Sequence, residues 1–196
     1  MKNNLLFVLG MRRSGTSILR ILLNRHPMIE TLKFEPHEVV FACRLIHLNR
    51  YKNESYYKNI INYYKEYKGE KFIGFKEVFN VGIESMNWRW LYRNFPNAKF
   101  VFIIRDCETN YESWRQQDLQ SVRGICSYEM YKAWWHHLNS DFRKYNNKHP
   151  NKSCIIFYHN LVENADLELE KVWNILKIDK ITGANKLIHK PKHWRA

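Results

Sequence analysis

Two arginines, three hydroxyl residues and two glycines crowd into eight positions near the start of the chain, Gly10-Met11-Arg12-Arg13-Ser14-Gly15-Thr16-Ser17. Residue types in this pattern can hold a tetrahedral anion. The glycines let backbone N–H groups curl around the anion, the hydroxyls add donors, and a guanidinium grips two oxygens at once. The preceding run Leu5-Leu6-Phe7-Val8-Leu9 reads as a buried strand, and Ile18, Leu19, Leu22 and Leu23 read as one face of a helix. The anion would therefore lie at a helix N-terminus, where negative charge is favoured. Gly10 and Gly15 keep the spacing of the nucleotide loop G-x-x-x-x-G-K-[ST], but Thr16 occupies the place of the lysine that reaches the β- and γ-phosphates. That substitution disfavours a Mg-ATP site and leaves Arg13 as the fixed charge of the loop.

Two further basic residues follow apolar stretches. Lys76-Glu77 comes after 72–75, and Arg105-Asp106 comes after 99–104, with Ser113 eight positions beyond Arg105. Strand character is expected at 5–9, 72–75, 99–104 and 154–158, and helical periodicity at 37–48, 55–67, 83–94, 108–119, 127–145 and 166–176. Strands alternating with helices imply right-handed crossovers and a parallel sheet, hence an α/β fold. Ligands of such sheets gather beyond the carboxyl ends of the strands, which is where Lys76 and Arg105 are expected. The polar stretch 146–152 ends one helix before a strand. With no internal repeat and no long Pro/Gly/Ser linker, residues 1–196 read as a single domain.

The composition agrees with a folded, soluble domain. Hydrophobic residues make up 45% and charged residues 26%, and seven Trp, twelve Tyr and eleven Phe require an aromatic-rich core. A formal charge of +13 favours anionic partners, although many lysines simply solvate exposed faces. Cys43, Cys107, Cys126 and Cys154 have neither C-x-x-C nor zinc-finger spacing, so they read as buried thiols, and no metal site is expected. Gly10, Arg12 and Arg13 cut the first apolar run far short of a signal peptide or membrane span, which reads as a cytoplasmic protein with no transmembrane segment. Trp134 and Trp135 are expected to pack in the core. The adjacent His136 and His137 point to different sides of a helix and do not make a metal pair.

Taken in order, these motifs resemble the sulfotransferases that use 3′-phosphoadenosine 5′-phosphosulfate, most closely the tyrosylprotein and carbohydrate branch. The resemblance runs from about Leu5 to Ile178. It rests on Arg12 to Ser17 with His26-Pro27, on the stretch 95–106 ending in Arg105-Asp106 with Ser113, and on Tyr158-His159-Asn160-Leu161. It implies a three-layer fold of the P-loop type with a central parallel sheet. The loop Arg12, Arg13, Ser14, Gly15, Thr16 and Ser17 would bind the 5′-phosphosulfate, Arg105 and Ser113 the 3′-phosphate, and Tyr158 would lie near the adenine. Lys76 matches the family's lysine at a strand end, although Glu77-Val78 replaces the usual acidic residue and proline. It is the candidate for stabilising the oxygen that leaves with adenosine 3′,5′-bisphosphate.

The same resemblance makes Glu35, in Phe34-Glu35-Pro36-His37, the leading candidate for the base, with His37 and Glu38 left open. It also makes Lys190, in the stretch 186–195, part of a loop that closes over the nucleotide. No metal is required by this chemistry. The acceptor, a hydroxyl or amine on a small molecule, glycan or peptide, is not encoded in any recognisable motif. A small-molecule or nucleotide kinase without the loop lysine, and a basic RNA- or glycan-binding module, are the alternatives. The first would consume ATP with magnesium; the second would bind RNA with a steep salt dependence that the bisphosphate leaves unchanged. The phosphate loop makes a nucleotide, rather than nucleic acid, the expected partner.

Overall fold

The computed structural model describes residues 4–31, 69–79, 88–118 and 126–188. Five strands form one sheet: β1 (Leu5–Met11), β2 (Ile29–Thr31), β3 (Phe72–Phe79), β4 (Lys99–Ile104) and β5 (Ser153–Phe157), in the order β2-β3-β1-β4-β5. Every pairing is parallel, and the register sets Leu9 opposite Glu77 on one side and Phe102 on the other. The parallel sheet expected from alternating elements is therefore present.

Three local expectations are corrected. A fifth strand, β2, was not expected, because three residues are too few to show a period. β3 continues to Phe79, so Lys76 lies inside the strand rather than after it. β5 stops at Phe157, and Tyr158 opens a helix instead of closing the strand.

The helices are α1 (Thr16–Leu23), α2 (Trp88–Asn94), α3 (Cys107–Asp118), α4 (Tyr128–Lys148), α5 (Tyr158–Glu163) and α6 (Ala165–Leu176), followed by a 3₁₀ turn at Ala184–Leu187. α3, α4 and α6 fall within a few residues of the expected 108–119, 127–145 and 166–176. The expected 83–94 is seen over its last seven residues as α2, and 37–48 and 55–67 lie outside the described residues. Caps explain several of the starts. The Ser127 hydroxyl accepts from the Met130 N–H at 3.2 Å, and the Asn164 side chain accepts from the Leu167 N–H at 3.2 Å, each satisfying a donor with no partner inside the helix.

Alternation along the strands builds two cores. Leu5, Phe7, Leu9 and Met11 of β1 join Phe100 and Phe102 against α2, α3 and α4, whereas Leu6, Val8, Val101 and Ile103 pack on α1, α5 and α6. The first face is strongly aromatic. Phe102 stacks on Phe142 at 4.4 Å between ring centres, and Trp88 meets Phe102, Phe142 and Tyr145 edge-on. Burial of each such ring stabilises the fold by about 1.5–3 kcal/mol. Among the described residues, helices thus cover both faces of the sheet.

Candidate active site

The carboxyl ends of β1 and β4 are neighbours in the sheet, but the chain leaves them in opposite directions. After β1 it runs through α1 towards β2 and β3; after β4 it runs through α3 and α4 towards β5. The crevice opened by such a reversal is where open α/β sheets bind ligands. The loop after β1 and Arg105 after β4 both fall there.

Gly10 lets that loop fold back. A Cβ at this position would collide with the Ser14 hydroxyl and come within 2.9 Å of the Ile103 carbonyl. Arg13 and Gly15 are both left-handed, at φ 70 and φ 102, and a Cβ on Gly15 would stand 2.5 Å from the Tyr158 ring. These turns sort the polar atoms of the backbone. Met11 O accepts from the Ser14 N–H at 3.0 Å, Arg12 O from the Asn110 amide at 2.9 Å, and Arg13 O from the Arg105 guanidinium at 3.2 Å. Among the described residues the N–H groups of Arg13, Gly15, Thr16 and Ser17 have no acceptor. Carbonyls are tied off and N–H groups are left over, which is the polarity an anion requires. The Ser14 hydroxyl, 1% exposed, is likewise without a partner.

Side chains from the loop after β1, from within β3 and from the end of β4 converge on this turn. The Arg13 Nε donates to the Ser113 hydroxyl at 3.2 Å, joining the loop to α3. Lys76, only 7% exposed, sends its ammonium to the Ser17 hydroxyl at 3.0 Å; it is a buried strand lysine on the α1 side of the sheet, not a solvated one. Arg105 lies over the Tyr158 ring at 4.8 Å and donates through Nε to Thr109 at 3.2 Å. Asp106 does not neutralise it by pairing. Its carboxylate Oδ1 accepts from the N–H groups of Glu108 and Thr109 at 3.0 and 3.1 Å, capping α3.

Burial pushes the Arg105 guanidinium below its ordinary range, and neighbouring Arg13 adds to this; Tyr158, Tyr131 and Asp106 pull the other way. A guanidinium stays charged regardless. Arg13, Arg105 and Lys76 thus gather positive charge around these N–H groups, a setting that favours an anion.

Of the residues expected from sequence, the structure brings together Arg12, Arg13, Ser14, Gly15, Thr16, Ser17, Lys76, Arg105, Ser113 and Tyr158. Glu35, His37, Glu38 and Lys190 lie outside the described residues. His26 does not reach the site. It is 2% exposed, its Nδ1 accepts from the Met28 N–H at 3.1 Å, and its Nε2 therefore donates to the Asp179 carbonyl at 2.8 Å, pinning the turn after α1. Trp134 and Trp135 are both half-buried; Trp135 packs against the aromatic core, and its indole N–H donates to the Arg105 carbonyl at 2.9 Å. Sequence reasoning missed Asn110 and this use of Trp135. A lone Asn or Trp in a helical stretch carries no signal of its partner's distant backbone.

A parallel sheet of this order, with a glycine turn presenting N–H groups and cations at the switch point, defines a protein of the P-loop type that grips a phosphate-like anion. A profile of the sulfotransferase family matches residues 84–182, and the chain belongs to that family. The match takes in Arg105, Ser113 and Tyr158. No curated protein matches the sequence.

Solved structures agree on the fold. A sulfotransferase from Alicyclobacillus acidocaldarius aligns at TM-score 0.67 and 15% identity, covering 100% of this chain and 89% of that one. The sulfotransferase domain of the Synechococcus olefin synthase aligns at 0.64 and 16%, covering 98% and 82%. A mouse sulfotransferase complexed with PAP aligns at 0.63 and 14%, covering 96% and 63%. The protein is thus a sulfotransferase, an enzyme that takes a nucleotide donor and an acceptor.

Proposed function

We propose that residues 1–196 form one sulfotransferase domain that moves a sulfuryl group from 3′-phosphoadenosine 5′-phosphosulfate to a hydroxyl or amine by in-line displacement. The observation that carries this reading is the convergence of Arg13, Lys76 and Arg105 on a loop that lacks the triphosphate lysine but keeps its N–H groups free. The donor supplies the sulfuryl group and the nucleotide that leaves with its bridging oxygen. In this reading the N–H groups of Arg13, Gly15, Thr16 and Ser17 hold the 5′-phosphosulfate, with Arg12, Ser14 and Arg13 adding donors. Arg105 and Ser113 hold the 3′-phosphate, and Tyr158, fixed between Gly15 and Arg105, lies beside the adenine.

The Lys76 ammonium, buried and steered by the Ser17 hydroxyl, supplies positive charge where the leaving oxygen becomes negative. A preorganised cation in a dry site is worth most at that point. Glu35 takes the acceptor's proton and Lys190 closes over the nucleotide. Because phosphosulfate is held by fixed cations and N–H groups, no metal is assigned a role.

A cytoplasmic setting accords with Cys107, Cys126 and Cys154, which are all free thiols. The acceptor is a small molecule, glycan or peptide.

Turnover assayed with labelled donor, in chelator, tests the reading. Wild type is expected to label an acceptor, and Lys76→Ala to lose about 100- to 1,000-fold in kcat while still binding the bisphosphate. Full activity in Lys76→Ala contradicts the assignment of the leaving-oxygen charge.

A further inference from the structure

Asn110 is a polar side chain in an apolar place. It sits on the core-facing side of α3 with 0% exposure, next to Tyr111 and Trp114 of the aromatic core, and among the described residues its Oδ1 has no hydrogen-bond partner. An unpaired buried amide oxygen costs stability, so a Leu or Met here would suit the fold alone better. What the side chain does make is one bond: Nδ2 donates to the carbonyl of Arg12 at 2.9 Å.

That carbonyl belongs to the peptide joining Arg12 to Arg13, the residue at φ 70. A left-handed arginine is not held by its own preferences, and the peptide before it can rotate to a more ordinary conformation. Rotation would turn the Arg12 carbonyl towards the crevice and carry the Arg13 N–H away from it. An acceptor would then face the anion where a donor is needed.

We propose that Asn110 is a positioning residue for the donor nucleotide: it locks the Arg12–Arg13 peptide so that the loop presents an N–H rather than a carbonyl to the phosphosulfate. This rests on the nucleotide reading above and names a part of the site that the loop motif does not contain. The lock reaches the loop from α3, the same helix that sends Ser113 to Arg13, so one helix fixes both the peptide and the side chain of that arginine.

Isothermal titration with adenosine 3′,5′-bisphosphate, alongside thermal unfolding, tests it in wild type, Asn110→Leu and Asn110→Asp. Asn110→Leu removes the unpaired oxygen and the donor together, so its unfolding temperature is expected to hold or rise while affinity falls at least about tenfold. Asn110→Asp sets a carboxylate against the Arg12 carbonyl and is expected to bind more weakly still near neutral pH. Its affinity, as a ratio to wild type at each pH, is expected to recover on acidification, because the protonated acid regains a donor. A general structural role predicts losses of stability and affinity together and no recovery with acid.

Affinities of both variants within twofold of wild type would overturn the lock while leaving the nucleotide reading intact. Loss of affinity only in step with loss of folding, with a flat pH ratio, overturns it as well. Failure of wild type itself to bind the bisphosphate removes the nucleotide reading and this inference together.

Discussion

Arg105 joins the nucleotide-binding reading to an observable selectivity. It lies over Tyr158, touches the Arg13 carbonyl and is deprived of Asp106, which is occupied in capping α3. A cation in that position gains most from a doubly charged phosphate. Charge-assisted hydrogen bonds contribute about 1.5–3 kcal/mol, so Arg105→Ala is expected to weaken the bisphosphate roughly 10- to 150-fold while hardly changing adenosine 5′-phosphate, which lacks the 3′-group. Competition titration of the two nucleotides measures the ratio. Equal losses for both would mean that Arg105 senses the loop anion and not the 3′-phosphate. Ser113→Ala should show the same selectivity more weakly, because it removes a neutral donor that Arg13 also engages.

At the scale of elements, the turn between β1 and α1 depends on Gly15. Its φ of 102 excludes ordinary side chains, and any Cβ would press on the Tyr158 ring that closes the site. Gly15→Ala is therefore expected to cost roughly 1–3 kcal/mol and to dislodge the α5 start together with the loop. Chemical denaturation reads the first effect and bisphosphate titration the second; an unchanged midpoint would show that the turn relaxes without strain.

The glycine spacing and the apolar runs made this turn, four of the five strands and the α/β class legible in sequence, because both rest on local pattern. The reach of β3 was not legible. Lys76 and Glu77 interrupt the apolar run, yet both are buried, since the strand is central and its end abuts the α1 N-terminus. β2 escaped because Ile29-Glu30-Thr31 becomes a strand only by pairing with Phe72–Gly74, a contact 43 residues away. Of the residues that meet at the turn, those in motifs could be named from sequence, whereas Asn110 and Trp135 could not. Their task is to hold carbonyls of Arg12 and Arg105, and a backbone partner leaves no mark on the sequence.

For the whole molecule, the aromatic core sets a response to alkali. Burial raises the Tyr145 hydroxyl to about 12 and pushes Tyr131 upward as well. Unfolded tyrosines ionise near 10, so between about pH 10 and 12 the unfolded chain releases protons that the native one retains. Stability is accordingly expected to be flat with respect to these groups below about pH 9 and to fall as pH rises through that window. Tyr145→Phe should soften the fall. Denaturant midpoints at stepped pH check this, and an identical slope in the variant would remove Tyr145 from the account.

Among the described residues, helices cover both faces of the sheet, and cations and N–H groups without acceptors gather at the ends of its strands. The most direct measurement of that arrangement is calorimetric titration of the wild-type protein with adenosine 3′,5′-bisphosphate and, separately, with Mg-ATP. The account predicts that the bisphosphate binds more tightly by at least about tenfold, without any divalent cation. Equal or tighter binding of Mg-ATP would contradict it.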